Sequence, residues 1–87
     1  MQSLKTLIDD ARNEYARHEM EEPFLLDGTS EMHARNALNY ILNERWHEAL
    51  NEARIAAKQR SRWQPFLEIV TRIHETAAFR ILRSLRT

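Results

Sequence analysis

Only three residues in this chain strongly oppose an α-helix: Pro23, Gly28 and Pro65. Relative to alanine, glycine costs about 1 kcal/mol and proline about 3 kcal/mol in a helix interior. The stretches between them are rich in Ala, Leu, Glu and Arg, which all favour helix. Helices are therefore the expected elements, and the breakers mark where they stop. The first helix is expected over about 4–20, with Ser3 as its cap and Pro23 ending it by pushing the preceding residue out of the helical region. Leu4, Leu7, Ile8, Ala11 and Tyr15 recur along it at steps of three and four, giving one apolar stripe. Asp27-Gly28-Thr29-Ser30 reads as a turn and an N-cap. A second helix over about 31–43 then places Ala34, Ala37, Leu38, Ile41 and Leu42 on one side. Residues 43–45 are polar and turn without a glycine. A third helix, about 46–60, carries Trp46, Ala49, Leu50, Ala53, Ala56 and Ala57, a stripe small enough for another backbone to approach closely. Pro65 suits the first turn of a last helix over about 65–85, whose apolar face is Phe66, Ile69, Val70, Ile73, Ala77 and Ile81.

The expected architecture is all-α: a single helical domain over 1–87, about four helices in antiparallel hairpins. It comprises an N-terminal helix within 1–22, a hairpin at 31–60 and an amphipathic helix at 65–87. A chain of this size buries only about 60% of its unfolded surface, so its core is thin.

Composition excludes several function classes. There is no cysteine, hence no disulfide and no thiolate metal site. One glycine leaves no glycine-rich phosphate loop. Thirteen basic residues balance thirteen acidic ones, which removes a global electrostatic case for nucleic acid or membrane. With acidic residues by position 9, no signal peptide is expected at the start, and no apolar run reaches the about 18 residues of a membrane span. A cytoplasmic protein is the expectation. The charge is nevertheless polarised: residues 1–50 hold five basic and ten acidic groups, and residues 51–87 hold eight and three. Either the two halves fold against each other, or a pole faces a charged partner.

The most informative segment is ARNALNYILNERWHEALNEARIAA, residues 34–57. Ala37, Tyr40, Trp46, Ala49 and Ala56 stand at the spacing of a tetratricopeptide-type helical hairpin, and ERWHEAL resembles that family's second-helix opening. Asn36, Glu44, Ala53 and Ser61 depart from its usual leucine, glycine, large residue and proline. No second copy occurs 34 residues away, where Thr71, His74, Arg80 and Arg83 stand. From about 34 to 87, including RWQPF at 62–66, the layout resembles the tetratricopeptide-type chaperones of type III secretion needle subunits. That resemblance implies a non-enzymatic cytoplasmic holder, working as a heterodimer with a small helical co-chaperone. Together they would sequester a secreted helical subunit in an apolar groove. A lone hairpin leaves apolar faces that neighbouring repeats normally cover, and a partner covers them here in that reading.

The groove residues expected are Tyr40, Trp46, Ala49, Leu50 and Ala53 from the hairpin, with Phe66, Ile69, Val70, Ile73 and Ala77 from the last helix. Some of these must serve as ordinary core. Phe24, Leu25 and Leu26, between Pro23 and Gly28, either tuck under the hairpin as a lid or anchor the partner. The alternative function is a small nucleic-acid-binding regulator using a ridge of Arg72, Phe79, Arg83 and Arg86 with Arg80 nearby, since arginines around an aromatic suit phosphate contact and base stacking. Glu68 and Glu75 beside that ridge blunt its positive field.

Catalytic and metal chemistry is weakly represented. His18, His47 and His74 each precede a glutamate, but none completes H-E-x-x-H. Glu44/His47 and Glu14/His18 are partial sets at helical spacing, short of what a carboxylate-bridged di-metal bundle needs. The histidines read as solvent-facing or hydrogen-bonded, and no cofactor or catalytic residue is expected.

Overall fold

The structure, a computed structural model, describes residues 3–21 and 28–86; the side chains at 21 and 82–86 fall outside that description. Four α-helices follow one another: α1 (Leu4–Glu21), α2 (Gly28–Leu42), α3 (Trp46–Gln59) and α4 (Gln64–Arg86), with a 3-10 turn at Ser61–Trp63 leading into α4. There is no strand among the described residues. The fold is all-α, and the helix order and number match the pattern of breakers and periodicity.

The cap on α1 is the expected one. Ser3 Oγ accepts the Thr6 N–H at 3.2 Å, satisfying one of the orphan donors of the first turn. The start of α2 differs from expectation. Its helix already runs at Gly28, and Ser30 lies inside it, buried, rather than before it as a cap. Gly28 has no positive φ, and a Cβ there would meet nothing within 4 Å. Its flexibility is thus not used for a turn. The α2–α3 turn does use a left-handed residue, Glu44 at φ 59°. There the Arg45 N–H reaches the Tyr40 carbonyl at 2.8 Å and the Glu44 N–H reaches that of Ile41 at 3.0 Å. That pair of bonds is the Schellman ending, which normally places glycine where Glu44 stands.

The helices alternate in direction. Tyr15 stacks on Trp63 at 5.8 Å and approaches Phe66 at 6.5 Å, while His18 sits over Trp63 at 4.4 Å. Higher numbers on α1 thus meet lower numbers on α4, so the two are antiparallel. The short turn makes α2 and α3 antiparallel, and the hydrogen bond between His33 Nδ1 and Glu52 Oε2 ties them midway. Arg60, in an extended conformation, and the 3-10 turn reverse the chain from α3 into α4. Each helix packs on its chain neighbours, and α1 closes the set by lying mainly on α4 and only lightly on α2.

The core is the intersection of the four stripes. Leu7, Ala11 and Tyr15 come from α1, Ala34, Ala37 and Ile41 from α2, Ala49, Leu50, Ala53 and Ala56 from α3. Phe66, Val70, Ile73 and Ala77 complete it from α4, with Trp63 at the turn. Alanine dominates at α2–α3 and lets those axes approach. The aromatic volume is concentrated instead where α1 meets the start of α4.

Candidate partner-binding surface

The register decides which apolar residues stay free. Tyr15 opposite Phe66 and His18 opposite Trp63 carry the first residue of α1, Leu4, to about the level of Ala77 on α4. On the other flank His47, in the first turn of α3, faces His74. Both neighbours therefore run out near residue 77, whereas α4 continues to Arg86. Burial follows the same boundary: Ala77 is buried, and Phe79, Arg80 and Ile81 are exposed, Phe79 at 59% and Ile81 at 54%. The molecule is accordingly elongated, 50 × 20 × 19 Å.

Most of the residues expected to line a groove point inward. Ala49, Leu50 and Ala53 of α3 and Phe66, Val70, Ile73 and Ala77 of α4 are buried in the core. Tyr40, Trp46 and Ile69 are half-buried and pack against it. Phe24, Leu25 and Leu26 lie outside the described residues, so neither the lid nor the anchor is placed. Of the arginine ridge, Arg72, Phe79 and Arg80 are exposed on α4; Arg83 and Arg86 belong to the helix, their side chains undescribed.

Periodicity had assigned Leu42 and Ile81 to inward faces, yet both are about half exposed. Ile81 sits where α4 outlasts its neighbours, and Leu42 is the last residue of α2, beside the turn into α3. Met20, Met32 and Ile55 are further exposed apolar side chains without a distinguishing sequence signal. One groove, of about 610 Å³, is not apolar: Asn36, Asn39, Tyr40, Asn43 and Arg45 line it. Arg45 lies over the Tyr40 ring at 5.6 Å and pairs with Glu48 at 3.1 Å. A second groove, along α4, mixes Arg72 with Glu68 and Glu75, so that face carries both signs.

Away from this surface, His18 organises the opposite end. It is buried, and the Arg62 guanidinium donates to its Nδ1 from Nη2 at 3.1 Å and Nε at 3.3 Å. Arginine has no lone pair to offer, so Nδ1 must accept and the proton sits on Nε2, which donates to Glu14 Oε1 at 3.2 Å. Burial, then the Arg62 charge, pushes the His18 pKa below the ordinary histidine range. Glu14 is held below its usual value chiefly by its hydrogen bond from Arg17. Both His18 nitrogens are thereby committed to hydrogen bonds. No group of three or more potential metal ligands occurs among the described residues, and no helix among them is long and apolar enough to cross a membrane. No known protein family, curated protein or solved structure matches this chain.

Proposed function

We propose that this protein is a non-enzymatic, cytoplasmic adaptor or chaperone that holds a helical protein partner on the overhanging end of α4. The observation that carries the reading is the exposure of Phe79 and Ile81 on either side of Arg80, past the point where α1 and α3 end. Phe79 and Ile81 lie about 200° apart around α4, so partner helices packed on both flanks of the overhang would cover them, and the arginine favours acidic residues on those helices. This relocates the contact from a groove between helices, because the expected groove residues are largely consumed by the core. The likeness of residues 34–87 to needle-subunit chaperones supports a secreted helical subunit and a small co-chaperone as the occupants.

The test compares tagged wild type with the double variant Phe79→Asp/Ile81→Asp, purified from the organism of origin. A helical protein should co-purify with wild type in fixed stoichiometry and be lost from the variant, whose circular-dichroism melt is unchanged. Equal capture by both chains would sink the reading. So would tight, steeply salt-dependent binding of the purified chain to a DNA or RNA fragment that Arg72→Ala/Arg80→Ala abolishes.

A further inference from the structure

His47 and His74 are 27 positions apart in sequence, and neither belongs to the surface just described. The antiparallel packing of α3 and α4 brings their rings to 6.2 Å between centroids, with 49° between planes. His47 is exposed and His74 half-buried, so the pair lies at the surface over a rigid seam. Beneath it, Leu50 on α3 and Val70 and Ala77 on α4 are buried and fix both helices. Among the described residues neither ring makes a hydrogen bond or ion pair, and the ring contact of each is with the other. This distinguishes the pair from His18, committed to Arg62 and Glu14, and from His33, committed to Glu52.

The spacing is within reach of two imidazoles on one metal. A zinc–nitrogen bond is about 2.0–2.1 Å, and a ring nitrogen lies about 1.1 Å from its centroid, so a bound ion sits about 3.2 Å from each centroid. Two rings on a tetrahedral ion then stand about 5.2 Å apart, and two on a linear N–metal–N axis about 6.4 Å. The observed separation falls between these limits, nearer the linear one, and tetrahedral ligation requires the rings to close by about 1 Å through a change of rotamer. We infer that His47 and His74 form a two-histidine clip for a divalent transition metal of the zinc, nickel or copper class, joining the start of α3 to the middle of α4. Imidazole selects these ions over magnesium and calcium, which prefer oxygen ligands. No third histidine, cysteine or carboxylate completes the site among the described residues. The remaining coordination positions belong to water or to a ligand from outside the chain, and the clip is an open site rather than a closed structural one.

Because the ion bridges two helices, binding should raise stability by mass action. The experiment uses chelator-treated full-length protein titrated with zinc chloride, then nickel, with magnesium as the oxygen-preferring comparison. Wild type should melt about 5 °C or more higher at saturating zinc and be unmoved by magnesium. His47→Ala and His74→Ala should each remove the rise, and His33→Ala should keep it. The ring resonances of His47 and His74 alone should shift with zinc in NMR spectra of wild type, a readout independent of whether any variant folds well. The inference is overturned if zinc at millimolar concentration moves neither the melt nor those two resonances. It is overturned equally if either single variant keeps the full rise.

Discussion

At the scale of single residues, two side chains carry most of the argument for the end where α1 meets α4. Phe66 is fully buried, edge-on to Trp63 at 5.8 Å and beside Tyr15. Truncating such a ring costs about 3–5 kcal/mol, comparable to the whole stability of a thin domain. Phe66→Ala should therefore lower the urea midpoint drastically or leave the chain unfolded in water. His18 makes stability depend on pH in a defined window. Its folded pKa lies below the unfolded value of about 6.5 because burial and Arg62 both disfavour the imidazolium. As pH falls the unfolded chain takes up the proton first. The stabilisation is thus complete above about pH 6.5 and drains away as pH drops toward the folded value. Glu14, whose folded pKa is also depressed, adds a separate loss only at lower pH, through the carboxylate range. Urea unfolding at pH 7.5 and 5.5 checks the histidine: wild type should lose more stability between them than His18→Gln, which has nothing to protonate there. Equal losses would remove His18 as the responsible group. Neither contact was legible in the sequence, since Arg62 and His18 are 44 positions apart and meet only once the register of α1 on α4 is set.

At the scale of elements, the sequence was readable where a rule is local and opaque where it depends on a neighbour. The stripes of α1, α2 and α3 and the breaks near Pro23 and Pro65 needed only spacing and propensity, and the helices follow them within a few residues. Ser30 shows the limit. It has the chemistry of a cap, but glycine tolerates the helical first turn and the packing of α2 buries Ser30 instead. The lone glycine thus stands where no special backbone is required, and Glu44 stands in the left-handed position that glycine suits best. Gly28→Ala should stabilise the protein by about 0.5 kcal/mol through the entropy of the unfolded chain. Glu44→Gly should add about 0.5–1 kcal/mol by relieving the left-handed strain. The two sites are about 24 Å apart along α2, so the gains should add in the double variant. Thermal denaturation of the three variants tests this, and a destabilised Glu44→Gly would mean the Glu44 side chain makes a contact that outweighs its strain.

At the scale of the whole molecule, the decisive feature is a mismatch of lengths. α4 has 23 residues against 14 in α3 and 18 in α1, and the antiparallel registers align all three near the aromatic end. The surplus is forced to emerge at the other end, where Phe79 and Ile81 meet water. Amphipathic periodicity cannot reveal this, because it reports which face is apolar and not how far the neighbour extends; for that reason Ile81 read as core. The same geometry yields a test that separates folding from binding. Among the described residues, every core side chain of α4 lies at or before Ala77. A chain ending at Ala78 therefore keeps the four-stripe core intact and loses only the overhang, with some fraying of the new helix end. Its unfolding free energy in urea should fall within about 1 kcal/mol of the full-length protein, in contrast to the collapse expected for Phe66→Ala. Partner capture should vanish in the same truncation. A loss of several kcal/mol would mean that the overhang folds back and contributes to the core. Phe79 and Ile81 would then no longer be spare surface, and the proposed docking of a helical partner would lose its physical basis.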